Sequence, residues 1–515
     1  MQFQFGQATT VYAALHEITK RQPDRIAVVS NEISVSYRDL IARVDSMGAR
    51  LRLMGVNKGD RVAVYAQNCP EFLYAYIAAA KIGAVFVPIN LYLTVPEVEY
   101  ILSHSDARVV FCNSSVPDIS SISLPGLTIR SLDELSEGQI GDEPGADDVS
   151  ESDDLIIVYT SGSTGAPKAV VLDQKAQMGA ARSLIELWGL SPADVTVVGS
   201  PFGFLLGLST STLVTLLAGA QVVLLRRFHP GEVLDAIARY KVTIYNGVPT
   251  MFVMMLEFCE QHKPRIDLTS VRAFVCSGAP LRDELGIRFV KAFGKELQNY
   301  FGITEAYPLI GRPASHGAAL PPGSIGVIAP GAEVKFVAPD GTECLPNVAG
   351  EMLAKGPSTM RSAELTAAAF RDGWFLTGDL GFRDRDGYLF ITGRSKDLII
   401  RGGNNIAPAE IEAAMMRHPD VADVAVIGVA AAKYGEVPIA FVVARSQTTV
   451  TPSQMLAFAA EHLANFKVPA RVFIEDEMPI GKTGKVDKLS LKDRYSQRQN
   501  EAPERATEIS ATRGA

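Results

Sequence analysis

Short apolar runs separated by helical patterns constrain this chain more than any other feature. RIAVVS, VAVYA and ARVVFC read as strands, and YRDLIARVDSMGARLRLMG and PEFLYAYIAAAKIGA read as helices, the first ended by Gly55. LIIVYT, VTIYNG and AFVCSG continue the strands, with helices from Pro249 and over RDELGIRFVKAFG. Such alternation predicts an α/β protein of layered, mostly parallel sheets, whose strands are buried on both faces and carry no polar alternation. After Pro321 the pattern turns β- and glycine-rich, which predicts a β-rich subdomain. Near 395 it changes again to helices (AEIEAAMMRHP, SQMLAFAAEHLANF) around strands (VADVAVIGVA, PIAFVVAR), the makings of a small α+β domain. A chain of 515 residues is expected to form more than one domain. The division read here is a large domain over 1–394, a connection at 395–397, a small domain over 398–495 and a disordered tail over 496–515.

One stretch tests this division. From 195 to 225 there is no charged residue, and Gly199, Gly203 and Gly207 are spaced as in a membrane-helix contact. Pro201 and seven Ser/Thr residues argue instead for strand VTVVGS, loop PFGFLLG, helix STSTLVTLLAG and strand QVVLL. No membrane span is therefore expected. The net charge is −8, which disfavours nucleic-acid binding. Five scattered cysteines form no CxxC pair, and the start reads as mature protein, so a reducing, cytoplasmic setting is expected.

The most informative segment is YTSGSTGAPK at 159–168, which follows an apolar strand. Gly162 and Gly165 let backbone approach an anion, Thr160, Ser161, Ser163 and Thr164 can donate to phosphate oxygens, and Lys168 adds charge. The spacing is neither a Walker A loop nor a nucleophile elbow. Further motifs follow in order: SGAPL at 277–281, FGITE at 301–305, TGD at 377–379, GRSKDLIIRGGNNIAPAEIE at 393–412 and PIGKTGK at 479–485. With these six motifs, from about residue 10 to about 493, the chain resembles the adenylate-forming (AMP-binding) enzymes, in particular acyl-CoA synthetases.

The resemblance implies roles position by position. Ser277, Gly278, Ala279 and Pro280 match the adenine-binding turn, and Phe301, where Tyr is usual, would stack on adenine; Asn299 and Gly302 adjoin it. Thr304 matches a phosphate-contacting hydroxyl and Glu305 the Mg²⁺-associated carboxylate. Asp379 and Arg394 match ribose and phosphate contacts. Lys396 falls at the hinge of a mobile small domain, Gly402 and Gly403 at the CoA tunnel, and Lys485 at the catalytic lysine. Phe204, Gly247, Gly302 and Leu309 fall at the acyl pocket and its gate. There are departures: Ala169 follows Lys168 where Gly is usual, Asp173 and Gln174 replace Thr-His, and Phe204 stands where many relatives carry His.

The activity implied is an ATP- and Mg²⁺-dependent carboxylate:CoA ligase, an AMP-forming acid–thiol ligase. A stand-alone enzyme loading a carrier protein is the alternative within the superfamily, and a non-enzymatic homologue the alternative outside it. The tail holds no D-S-L-type attachment serine, which favours coenzyme A. Segments 202–207, 246–251 and 301–310 are mostly apolar, which favours an aliphatic or aromatic acid over a small dicarboxylate, although Arg312 lies close by. PxxxxGK at 479–485 marks, in bacterial relatives, a lysine modified by a lysine acetyltransferase. The sequence carries no signal for an oligomeric state.

Overall fold

The computed structural model describes residues 3–501, apart from 32, 136–147, 161–166, 265, 282, 318, 361–368, 402–403, 432–433, 446–447 and 482–484. It forms two compact units, one of Met1–Thr377 with Phe382–Ile391, the other of Gly378–Gly381 with Thr392–Ala515.

The first unit contains two large sheets. Their strands are β1 (Ile26–Ser30), β2 (Ile33–Ser36), β3 (Arg61–Tyr65), β4 (Val85–Ile89), β5 (Ala107–Cys112), β6 (Thr128–Ser131), β7 (Asp154–Thr160), β8 (Lys168–Asp173), β9 (Val195–Val198), β10 (Gln221–Leu224), β11 (Ile244–Gly247), β12 (Ala273–Cys276) and β13 (Leu297–Asn299). One sheet has the order β6-β5-β3-β4-β7-β8 and the other β13-β12-β11-β9-β10-β1-β2. Only the edge strands β8 and β2 run antiparallel to their neighbours. All five residues of β4 are buried, which is why these strands read as unbroken apolar runs. Between them, helix Pro70–Ile82 buries ten side chains; proline at its first turn and Gly83 at φ +71° set its ends.

The uncharged stretch lies inside this unit. Among the described residues no helix is long and apolar enough to cross a membrane. The helix predicted over 209–219 is instead a π-helix, Leu206–Leu213, continued by α-helix Val214–Leu217, and it takes in residues predicted as loop. Hydroxyls compete for its backbone carbonyls. Thr212 Oγ1 donates to Gly207 O five residues back (2.8 Å), and Thr215 Oγ1 to Ser211 O (2.6 Å). The glycine spacing serves close backbone packing: a Cβ on Gly207 would lie 2.5 Å from Ser200 O, and one on Gly203 would lie 2.5 Å from Asn90 Cα. Gly203→Ala is accordingly expected to cost about 2–3 kcal/mol, read as a lower denaturant midpoint. An unchanged midpoint would show that the chain relaxes freely there.

β14 (Phe301–Ile303) and β15 (Ala306–Gly311) begin the β-rich part of the unit, which adds small antiparallel sheets. The second unit has a five-stranded sheet centred on Gly435–Ala444, with helices Pro408–Met415 and Pro452–His462. Its last helix runs from Lys488 to Glu501. Residues 496–501, predicted as the start of a disordered tail, are therefore helical. Arg494 and Arg498 of this helix both pair with the buried Glu475, an anchor that hydropathy does not register. The rest of the predicted tail lies outside the described residues.

Candidate active site

In the seven-stranded sheet, Gly247 of β11 pairs with Cys276 of β12, which pairs with Asn299 of β13. The carboxyl ends of these parallel strands therefore lie level. The strands after β9 run out in opposite directions, β10 on one side and β11 on the other, so the order reverses between β9 and β11. Ligands of open α/β sheets bind in the crevice at such a reversal, beyond the carboxyl ends of the strands. Four of the singled-out segments leave the sheet at this edge: 199–204 from β9, 248–251 from β11, 277–280 from β12 and 300–305 from β13.

Each is shaped locally. Ser277 is buried and its N–H donates to Gly247 O (3.0 Å); Gly278 takes φ +80°, open to glycine at no steric cost. Phe301 is half-buried and opens an antiparallel hairpin, Phe301 opposite Ile310 and Ile303 opposite Ala306. Thr304 and Glu305 form its two-residue tip, both half-buried, and Glu305 O accepts from Met360 N–H (2.9 Å). In the other large sheet Thr160 of β7 pairs with Lys168 of β8, so these two residues close the hairpin of the Gly/Ser/Thr segment. Ser161, Gly162, Ser163, Thr164 and Gly165 lie outside the described residues. Phe204 is half-buried, with its N–H on Pro201 O (3.2 Å), immediately before the π-helix. Leu309 is fully buried in β15. Arg312 is held by Glu296 (2.7 Å). A Cβ added to Gly247 would meet Tyr245 and Phe252 of the second core.

In the second unit, Asp379 and Arg394 sit on paired strands and form an ion pair of 2.9 Å, with the carboxylate almost fully buried. Lys396 is exposed on the turn Ser395–Asp397, directly after Arg394. Arg401 and Asn404 pair across the position of Gly402 and Gly403, which themselves lie outside the described residues. Lys485 is exposed, and its carbonyl accepts from Gly481 N–H (2.7 Å). Lys488 is committed to Glu412 (3.0 Å).

The profile of the family "AMP-binding enzyme" matches residues 15–362, and that of "AMP-binding enzyme C-terminal domain" matches 410–485. The chain belongs to the AMP-binding enzymes. Among its relatives are a feruloyl-CoA synthase of Amycolatopsis sp. (34% identity, covering 92% of this chain and 97% of the relative) and an indoleacetate–CoA ligase of Aromatoleum aromaticum (34%, 91% and 94%). Its structure superposes on o-succinylbenzoate coenzyme A synthetase (MenE) of Bacillus subtilis, solved with ATP and magnesium ion. The TM-score is 0.83 at 30% identity, over 93% of this chain and 99% of that one.

Two departures of this AMP-binding enzyme from its family's pattern have structural reasons. Asp173 caps helix Gln174–Trp188 by accepting from Ala176 N–H (2.7 Å). Gln174, fully buried, accepts from Val11 N–H (3.0 Å) and donates to Ala80 O (3.1 Å), tying three segments together. Asn246, the first residue of the segment 246–251, lies next to Gly247 on β11 and is buried. Its only sequence signal is a lone amide in an apolar strand.

Proposed function

We propose that this enzyme is an ATP-dependent carboxylate:CoA ligase that forms an acyl-adenylate and then an acyl-CoA thioester, releasing pyrophosphate and AMP. The observation that carries the reading is the convergence of Ser277–Pro280, Phe301–Glu305 and the Phe204 loop on one edge of a parallel sheet, where its strand order reverses. The residues fit their ligands. Gly278 adds no side chain to its turn, Phe301 offers a base an apolar face, and Asp379 can accept from ribose hydroxyls. Glu305 is a hard oxygen donor at a hairpin tip, suited to Mg²⁺ that also holds ATP phosphates. When bound, that ion would neutralise the charge of the departing pyrophosphate.

Adenylation brings a carboxylate onto an α-phosphate, so the protein's task is to position two anions and offset their charge. Lys168, Thr160 and Thr304 would serve the phosphates, and Lys485 would bridge the carboxylate and α-phosphate oxygens as a compact ammonium. Displacement of AMP by the thiol of CoA follows, with Gly402 and Gly403 lining its approach and Lys396 as the pivot between the two steps. The aromatic acids in the names of the two relatives, and the engagement of Arg312 by Glu296, favour an aromatic or aliphatic acid over a small dicarboxylate. ATP–pyrophosphate exchange with a panel of acids, followed by CoA consumption, tests this reading. Exchange without CoA consumption would identify a carrier-protein loader, and no exchange with any acid would overturn the reading.

Phe204 opens the π-helix side of the crevice and touches none of the nucleotide-binding segments in sequence. Phe204→Ala is expected to reorder the accepted acids by roughly tenfold, the worth of a lost apolar contact in a pocket, with the KM for ATP unchanged. Unchanged acid preference with weakened ATP binding would place this loop at the nucleotide instead.

A further inference from the structure

Strand β11 alternates with period two. Tyr245 enters the second core beside Phe252 and Phe274, and Ile244 enters the first core on the opposite face. Asn246 therefore points with Ile244, towards the layer that the π-helix covers. The π-helix packs on this face against β9 and β11. Thr215, just beyond it, hydrogen-bonds Thr196 of β9 (3.0 Å), so this side of the helix looks at the sheet. Asn246 is 3% exposed, and neither its Nδ2 nor its Oδ1 has a hydrogen-bond partner among the described residues. Ser211 of the π-helix buries a hydroxyl in the same condition.

A primary amide left without either bond in a core is costly, and an apolar residue of equal size would serve packing better. The side chain lies one residue from the carboxyl end of β11, at the strand reversal. The buried acids of the first unit are engaged elsewhere. Asp194 stands at the amino end of β9, held by Arg272 (2.9 Å), and Asp173 caps its helix. No buried charged side chain among the described residues waits at this end of the sheet.

We propose that Asn246 is a specificity-determining residue that reads a neutral hydrogen-bonding substituent on the acyl group, so that the substrate is a hydroxylated carboxylic acid. A hydroxyl donates and accepts at once, which is what the two free atoms of the amide require. A plain hydrocarbon acid would leave them unpaired, and a second carboxylate would meet no countercharge. The assignment rests on the ligase reading above.

The test uses pairs of aromatic and aliphatic acids that differ by one hydroxyl, with AMP release measured in the presence of ATP, Mg²⁺ and CoA. The wild-type enzyme is expected to favour the hydroxylated member of at least one pair by roughly 10- to 100-fold in kcat/KM. Asn246→Leu should erase that preference, leave the KM for ATP unchanged and hold or raise the melting temperature, because it removes a buried amide with no partner in the protein. Asn246→Ala gives the same readout should the larger side chain impair folding. A preference that survives substitution, or a wild-type preference for the unsubstituted acid in every pair, overturns the assignment and leaves the ligase standing. A lower melting temperature with both members of each pair falling equally shows a structural amide and overturns it too. Absence of AMP release from any acid overturns the ligase reading and this assignment with it.

Discussion

With acetyl-lysine installed at 485, ATP–pyrophosphate exchange falls by roughly 10²–10³-fold or more, while CoA still reacts with a supplied acyl-adenylate at near the wild-type rate. The magnitude is that of removing one preorganised charge stabiliser from a site where charge develops. Acetylation turns an ammonium into a neutral amide of similar reach, so it removes charge and little else. Only the first proposed step brings two anions together. Once the acyl-phosphate mixed anhydride exists, the attacking group is a thiol and the need for that ammonium has passed. Lys485 is exposed at the surface. Exchange near the wild-type rate would assign the role to another lysine. Lys488 is already engaged by Glu412, so Lys482 would be tried next.

Glu305→Gln should lower exchange by a comparable factor at ordinary Mg²⁺ without disturbing the fold. The one described bond that ties this residue to its surroundings is through its backbone carbonyl, to Met360 N–H, and glutamine keeps it. What the substitution removes is the formal charge of the oxygen donor proposed to hold Mg²⁺. Circular dichroism and the melting temperature should match the wild type. Wild-type exchange in this variant would remove Glu305 from the metal site.

The parts of this enzyme that could be read from its sequence are those in which the backbone dictates composition. Buried parallel strands must be apolar on both faces, so β3, β4 and β11 announce themselves. A turn proposed to receive phosphate or adenine through backbone groups must keep small residues, so 159–168 and 277–281 are visible as Gly/Ser/Thr clusters. What stayed hidden depends on parity or on distant partners. Which core Asn246 faces is decided by which side Tyr245 takes, and a one-residue shift reverses the answer. The π-helix has no propensity signal of its own, because its residues suit an α-helix nearly as well. The pairing of Asp379 with Arg394 joins two motifs across neighbouring strands. The extension of the last helix to Glu501 relies on Glu475, which lies on another element.

The π-helix has a bearing on how such an enzyme changes its diet. Each of its turns holds more residues than a turn of the α-helix that continues it. Deleting a single residue from it restores ordinary winding and swings the side chains on one side of the cut by about 100° relative to those on the other. Ser211 would give up its place over the sheet to a neighbour, while the adenine turn and the Thr304–Glu305 tip, on other strands, keep their register. Insertion and deletion, usually the most disruptive of mutations inside a helix, would on the proposed reading of this layer be a route by which acid selectivity is inherited separately from the use of ATP.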